Sequence, residues 1–385
     1  MKYIPYARQH ISDEDIQAVV GVLKSEWLTT GPSIENFENM VAKYCGAKYA
    51  IAVSNATAAL HIACLALDLG PGDYLWTTPN TFVASANCAL YCGANVDFVD
   101  IDPFTYNISL VHLNNKLIQA KANGRLPKIV VPVHFSGQSC EMEELKNLSE
   151  QYGFAILEDA SHAIGGSYKC TKVGSCAFSD MTVFSFHPVK IITTGEGGMV
   201  VTNDEKLYRR LLKLRSHGIV REQEQMLGEA DGIWYYQQRE LGFNYRMTDL
   251  QAALGISQMS RIEQFIAKRR SIAEKYNQAL SDYPLALPYQ HPDSQSAWHL
   301  YVVKVAKPFQ RKSVFDELRR RGIGVNVHYI PVHTQPYYQE RFNFAENHCL
   351  NAVEYYRDCI SLPMFFGLEE DAQNYIIETL GEVLK

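Results

Sequence analysis

Between Tyr49 and Asp159 the chain alternates short apolar runs with amphipathic stretches, and this alternation constrains the fold more than any other feature. The runs Tyr49–Val53, Asp73–Thr77, Val96–Asp100, Ile129–His134 and Phe154–Asp159 have the length of strands. The segments Thr57–Leu69, Phe82–Tyr91 and Glu141–Gln151 between them carry helical patterns. Strands joined by helical crossovers pair in parallel, and a parallel sheet must be covered on both faces. The fold class is therefore α/β, with a large, mostly parallel sheet domain covered by helices. Met181–His187 and Gly198–Thr202 predict two more strands, joined by a glycine-rich turn at Gly195, Gly197 and Gly198.

Ahead of the sheet, a Ser12-x-x-Asp15 capping box opens a helix whose predicted apolar face is Ile16, Val19, Val20 and Leu23. Gly31-Pro32 interrupts the chain. A second helix follows, with Ile34, Phe37, Met40, Val41 and Tyr44 on one face, ending near Gly46. Beyond Asn244 the pattern predicts one long helical stretch from about Thr248 to Asp282, then strands near Leu300–Val305 and Gly324–Tyr329, and a closing helix at Glu369–Leu384. A chain of 385 residues exceeds one simple core. The expected division is a large domain over 1–247 and a smaller C-terminal α/β domain over 248–385.

Composition removes several function classes. Hydrophobic residues make up 47% and charged residues 20%, an ordinary globular balance. A net charge of -6 gives no reason to expect a nucleic-acid partner. No apolar run approaches the length of a membrane span, and the start MKYIPYARQH lacks the apolar core of a signal peptide, so a cytoplasmic protein is expected. The nine cysteines are scattered without a C-x-x-C pair and read as reduced, mostly buried thiols. Twelve histidines include no H-E-x-x-H arrangement, and His328 and His333 read as one loop histidine and one packed one, so no metal site is expected.

Chemistry gathers at a few positions. Lys190, in MTVFSFHPVKIITTGEGG, is flanked by apolar and aromatic residues. Desolvation there disfavours the ammonium and leaves a nucleophilic amine, as imine chemistry requires. Alone, a surface lysine covering an apolar patch fits equally well. Asp159 ends the strand-like FAILED, where open parallel sheets bind ligands, although a helix-capping aspartate is common there too. His162 stands three residues on. In AVSNATAAL the residues Asn55, Ala56 and Thr57 lead from strand into helix, a natural phosphate seat. Ser185 adds a second hydroxyl near Lys190, and Phe82, after TTPNT, either stacks on a planar ring or packs in the core. Each signal is weak alone; their order along the chain is what gives them weight.

The series SNATAAL, TTPNTFVASAN, ILEDASHAIG, FSFHPVKIITTGEGG, RSHG and GFNYRMTDLQAALG resembles the sugar-nucleotide aminotransferase (DegT-like) family, from about Tyr6 to about Pro331. That resemblance implies the pyridoxal-phosphate (PLP)-dependent transferase fold type I and pyridoxal 5'-phosphate as cofactor. It matches Lys190 to the Schiff-base lysine, Asp159 to the partner of the pyridinium nitrogen, and His162 to the residue near the ring's phenolic oxygen. Phe82 matches the stacking aromatic, and Ala56, Thr57 and Ser185 the phosphate seat. Asn244 matches an asparagine that reaches the phosphate of the neighbouring subunit's cofactor, which implies a homodimer with composite sites. The sugar-nucleotide site is placed at Tyr6, the turn Glu26, Trp27, Leu28, Thr29, and the segment Asn326, Val327, His328, Tyr329, together with Ala56, Ser185 and Asn244.

EDASHA, SFHPVKIITTGEGG, RSHG and NVHYIPVH are most similar to the pseudaminic acid branch of that family. This implies a UDP-linked 4-keto-6-deoxy-N-acetylhexosamine as acceptor and L-glutamate as donor. Ala56 in place of the commoner glycine, and His162 in place of glutamine, are departures that this branch shares. Trp27 and Val220–Gln237 are less familiar, and substrate identity is most open there. Another nucleotide-linked keto sugar is the main alternative. A PLP-dependent sugar dehydratase would carry histidine at the lysine position, and a non-catalytic sugar-nucleotide sensor would lack Lys190 or Asp159.

Overall fold

The computed structural model describes residues 3–345 and 347–385. Seven strands form the main sheet: β1 (Tyr49–Val53), β2 (Tyr74–Thr77), β3 (Asn95–Phe98), β4 (Ile129–Val131), β5 (Ala155–Asp159), β6 (Met181–Ser185) and β7 (Gly198–Thr202). Their spatial order is β1-β7-β6-β5-β4-β2-β3. The neighbours from β6 to β3 all pair in parallel. β7 is antiparallel to both β1 and β6. The reason is local: residues 186–197, between β6 and β7, contain no helix to carry the chain back across the sheet. That return loop carries Lys190.

Nine helices precede the C-terminal sheet among the described residues: α1 (Asp13–Leu23), α2 (Pro32–Cys45), α3 (Ala56–Ala66), α4 (Ala84–Tyr91), α5 (Leu110–Ala122), α6 (Met142–Tyr152), α7 (Glu205–Arg215), α8 (Asp249–Met259) and α9 (Ile262–Ala279). The pleat sends alternate strand residues to opposite faces. Ile51, Val53, Val183 and Val200 join a buried cluster with Ala59, Leu60 and Ala63 of α3. Ala50, Ala52, Phe184, Met199 and Val201 join the opposite cluster, with Phe37 and Val41 of α2, Ala252 and Met259 of α8, and Ile262, Phe265 and Ile266 of α9. Both faces are dry, which explains why the strands read as uniformly apolar. α8 approaches α2 closely at Gly255, where an added Cβ would fall 2.7 Å from the Phe37 ring.

The C-terminal sheet orders β8 (Leu285–Ala286), β9 (Tyr301–Val305) and β10 (Cys359–Leu362) with β9 central and both pairs antiparallel. Around it lie α10 (Arg311–Arg320), α12 (Leu350–Asp358) and α13 (Glu370–Val383), whereas α11 (Pro336–Phe342) packs its Tyr338 against Phe98 of the main sheet. Ile272 and Tyr276 of α9, and Leu280 just past its end, bury against β9, α10 and α13, as does Ile4 from the chain's start. We propose that the chain folds as two domains that share α9.

Three expectations are corrected. In α1, Ile16 and Leu23 are exposed, and Asp15 and Val22 are the buried residues. Asp15 turns inward because Gln258 donates to its carboxylate at 2.7 Å and the Arg261 guanidinium at 2.5 Å. The expected helix from Thr248 to Asp282 is two, broken at Ser260–Arg261. Gly324–Tyr329 forms only isolated bridges, at Asn326 with Ser361 and, just before it, Ile323 with Ile4. The strand that pairs with β9 is instead β10, whose short run follows directly on a helix and carried no separate signal.

Candidate active site

A cavity of about 1040 Å³ opens at the carboxyl ends of β1, β5 and β6. Register brings these ends together: Val53 and Ser185 both pair with Gly198, and Asp159 pairs with Val183. Lys190, Asp159, His162, Ala56, Thr57, Phe82 and Ser185 all line the cavity. Tyr6, Asn326, Val327, His328 and Tyr329 line it as well. Glu26, Trp27, Leu28, Thr29 and Asn244 do not line it, and all five are exposed in the single chain.

The phosphate seat is built by α3. Asn55 is its N-cap and accepts from the Ala58 amide at 2.8 Å. Ala56 and Thr57, the first two helical residues, point amide N–H groups that no helix carbonyl can accept. Gly198 lets β7 press against this turn, since a Cβ there would fall 2.5 Å from the Asn55 carbonyl carbon and 2.6 Å from the Ala56 nitrogen. The buried Ser185 hydroxyl closes the seat. Free N–H groups at a helix start and a dry hydroxyl suit an anion such as phosphate.

Asp159 is buried and held at both oxygens. Ser161 donates its amide to Oδ1 at 3.0 Å, and the Ser85 hydroxyl donates to Oδ2 at 2.6 Å. Behind it, Glu158 points to the other face of β5. Burial alone would push Glu158 up, but donors from His134, Ser179 and Thr182 outweigh it and hold the carboxylate below its ordinary range. His134 donates Nε2–H to Glu158 at 2.6 Å, because its Nδ1 already accepts from the Cys140 amide.

Lys190 sits across from Asp159, where burial lowers its amine to about 8 despite the favourable Asp159 charge. His162 is driven well below its ordinary value by burial, then by the charges of Lys190 and His328, so it is neutral. Its Nε2 lies 3.1 Å from the Tyr329 hydroxyl. His328, held by Ser361 at 2.7 Å, is pushed down to about 3 by burial and by Lys190. Burial likewise drives His299 well below its ordinary value, and its ring centroid is 4.3 Å from that of His162. Beside these three neutral imidazoles, Lys190 brings a primary amine to the cavity. Phe82 is 61% exposed, so its ring is a cavity wall and not core. The cavity size, the phosphate seat and the facing amine and carboxylate fit a phosphorylated pyridine aldehyde such as PLP.

Ser85, Thr81, Ser161, His299, His61 and Tyr245 belong to the site or directly support it, and sequence reasoning missed them. Ser85 lies four residues after Thr81, one helical turn, but nothing in TFVASAN marks a buried serine as a partner of Asp159. Of the histidines, His333 is fully buried and packed, whereas His328 is a cavity residue. All nine cysteines are free thiols, and Cys170 alone is exposed. Among the described residues no group of side chains could hold a metal, and no helix is long and apolar enough to cross a membrane.

Comparison with known proteins agrees with this geometry. The chain is 39% identical over 388 residues to the spore coat polysaccharide biosynthesis protein SpsC of Bacillus subtilis (strain 168), covering 100% of this chain and 97% of that one. It is 37% identical to the UDP-4-amino-4,6-dideoxy-N-acetyl-beta-L-altrosamine transaminase of Campylobacter jejuni, over 99% of this chain and 98% of the relative. Helicobacter pylori PseC, an aminotransferase involved in the biosynthesis of pseudoaminic acid, superimposes with a TM-score of 0.91 at 31% identity, covering 100% of this chain and 99% of that one. The fold is thus that of PLP-dependent fold type I aminotransferases, whose solved members carry the cofactor in PLP and aminated forms. Residues 9–381 match the DegT/DnrJ/EryC1/StrS aminotransferase family, and the chain belongs to that family as a PLP-dependent sugar aminotransferase.

Proposed function

We propose that this enzyme moves the amino group of L-glutamate to C4 of a UDP-linked 4-keto-6-deoxy-N-acetylhexosamine, the reaction type of pseudaminic acid biosynthesis. The observation that carries this reading is the meeting of two sets of residues in one cavity: Lys190 and Asp159 from the main sheet, and Tyr6 with Asn326–Tyr329. The names of the Campylobacter and Helicobacter relatives support the sugar.

Bound here, PLP supplies an electron sink for the electrons released when the donor's Cα–H bond breaks. The protein does the rest. Lys190, its amine lowered to about 8, takes that proton at Nζ and returns it as general acid. Asp159 accepts the N–H of a protonated ring, which keeps the sink effective. Ala56, Thr57 and Ser185 hold the phosphate, and Phe82 offers its face to the ring. The neutral His162 contributes a hydrogen bond near the phenolic oxygen without adding charge. Tyr6, Asn326, Val327, His328 and Tyr329 receive the sugar nucleotide. Tyr6 keeps its proton, since burial, opposed by a bond with Asn326, raises its hydroxyl above the ordinary value.

A homodimer belongs to this proposal. Asn244 and the Glu26–Thr29 turn lie outside their own chain's cavity and are exposed, as residues must be if they complete a second copy's site. Glutamate incubated with UDP-4-keto-6-deoxy sugars of both C5 configurations tests the substrate. The expected product is the C4 amine of the UDP sugar. Amination only of a dTDP- or GDP-linked sugar, or at C3, overturns it and favours another nucleotide-linked keto sugar as acceptor. Normal turnover by a Lys190→Arg variant would sink the mechanism itself.

A further inference from the structure

Ser85 is wholly buried in the first turn of α4, three residues past Phe82. Its hydroxyl does not cap that helix, whose N-cap, Val83, has no side-chain bond. Two acceptors compete for its single proton: the Phe82 carbonyl at 3.4 Å and Asp159 Oδ2 at 2.6 Å. The shorter bond, to a carboxylate, wins. With its proton committed, Ser85 can meet the Thr81 hydroxyl, 2.8 Å away, only as an acceptor. Thr81 is buried too and therefore donates. A one-way chain results, from Thr81 through Ser85 to Asp159. Oδ1 is already taken by the Ser161 amide at 3.0 Å, so the carboxylate is pinned at both oxygens and cannot swing about its χ2 axis.

We propose that Ser85 is a positioning residue of the reaction: its hydroxyl holds the Asp159 carboxylate in the plane that receives the protonated ring nitrogen of PLP, and Thr81 fixes the direction of that hydroxyl. This rests on the role proposed above for Asp159. The turn 81–85 then serves two ends at once. It presents the Phe82 ring to one face of the cofactor, and it orients the carboxylate that meets its edge.

The test uses full-length holoenzyme reconstituted with PLP isotope-labelled at the ring nitrogen, whose NMR resonance separates protonated from neutral pyridine. Wild-type protein should show the protonated signal at neutral pH. In Ser85→Ala the signal should move towards neutral pyridine, and the PLP dissociation constant should rise about tenfold to a hundredfold. Ser85→Thr, which keeps the hydroxyl, should restore both. Thr81→Val leaves Ser85 in place but frees it to turn, and should move the signal in the same direction by a smaller amount. It is the deciding variant if Ser85→Ala does not fold. An unchanged signal in a folded Ser85→Ala or, failing that, in Thr81→Val overturns the inference. A neutral-pyridine signal in wild-type protein would instead defeat the reading of Asp159, so the two failures are distinguishable.

Discussion

Gly198→Ala offers the sharpest test of how the phosphate seat is made. Gly198 opens β7 between Val53 and Ser185, and the atoms that an alanine Cβ would meet are all backbone: the Asn55 carbonyl carbon at 2.5 Å, the Ala56 nitrogen at 2.6 Å and the Asn55 oxygen at 2.6 Å. No side-chain rotation can relieve them. Ordinary contact begins at 3.4 Å, so strand and turn must part by about 0.9 Å, the shortfall at the closest atom. That movement carries the Ala56 and Thr57 amides with it. A hydrogen bond near ~2.9 Å stretched by this much is no longer one. Losing one or two bonds to a charged phosphate removes roughly 1.5–3 kcal/mol of binding, a rise of about tenfold to a hundredfold in the PLP dissociation constant. Wedging costs the fold about 1–3 kcal/mol as well. Gly195→Ala is the matched control. Its φ of +80° strains an alanine, but an added Cβ there meets nothing within 4 Å. It should cost about 1–2 kcal/mol of stability and leave cofactor affinity unchanged. Apoprotein of each variant is titrated with PLP by absorbance, beside thermal melts. Binding by Gly198→Ala within about twofold of wild type would refute the argument that this close approach builds the seat.

Further outcomes follow from the same geometry. Burial lowers Lys190 from an ordinary 10.5 to about 8, and only its unprotonated form attacks an aldehyde. The rate of PLP capture by apoprotein should therefore climb with pH and level off above about 8; an inflection near 10.5 would contradict this. Asp15 is buried, but bonds from Ser257, Ser12, Arg261 and Gln258 outweigh the burial and lower its pKa. Its stabilising effect is present above the ordinary carboxylate range and fades as pH falls through the lowered value. Asp15→Asn should cost about 2–3 kcal/mol in urea unfolding at neutral pH, and the gap to wild type should close in acid; a gap that stays constant with pH would speak against the ion pair. If Asn244 serves the neighbouring site, mixing inactive Asn244→Ala and Lys190→Ala chains should restore about a quarter of wild-type activity, from the single intact site of each heterodimer. Failure of subunit-exchanged mixtures to recover activity would count against composite sites.

Much of this was legible in the chain itself. Tyr49–Val53 and Gly198–Thr202 were read at their observed bounds, and the other sheet strands within a few residues, because strands dry on both faces leave an unbroken apolar signature. The face of α1 was misread for a reason periodicity cannot see. Asp15 is buried because Arg261 and Gln258, more than two hundred residues away, meet it. β10 was missed because four residues after a helix carry too little pattern.

Sequence alone therefore determined the α/β architecture, the family and the sheet-side groups of the site: Lys190, Asp159, Ser185 and the Asn55–Thr57 turn. Each lies within a few residues of a strand end, where local order dictates position. Only tertiary structure decided the rest. The bond from Ser85 to Asp159 spans 74 residues, and the Tyr329 hydroxyl meets His162 across 167. These contacts exist because a parallel sheet stacks distant strand ends side by side, and because the segment carrying Tyr329 reaches that edge. Spacing along the chain does not encode which side chains meet there.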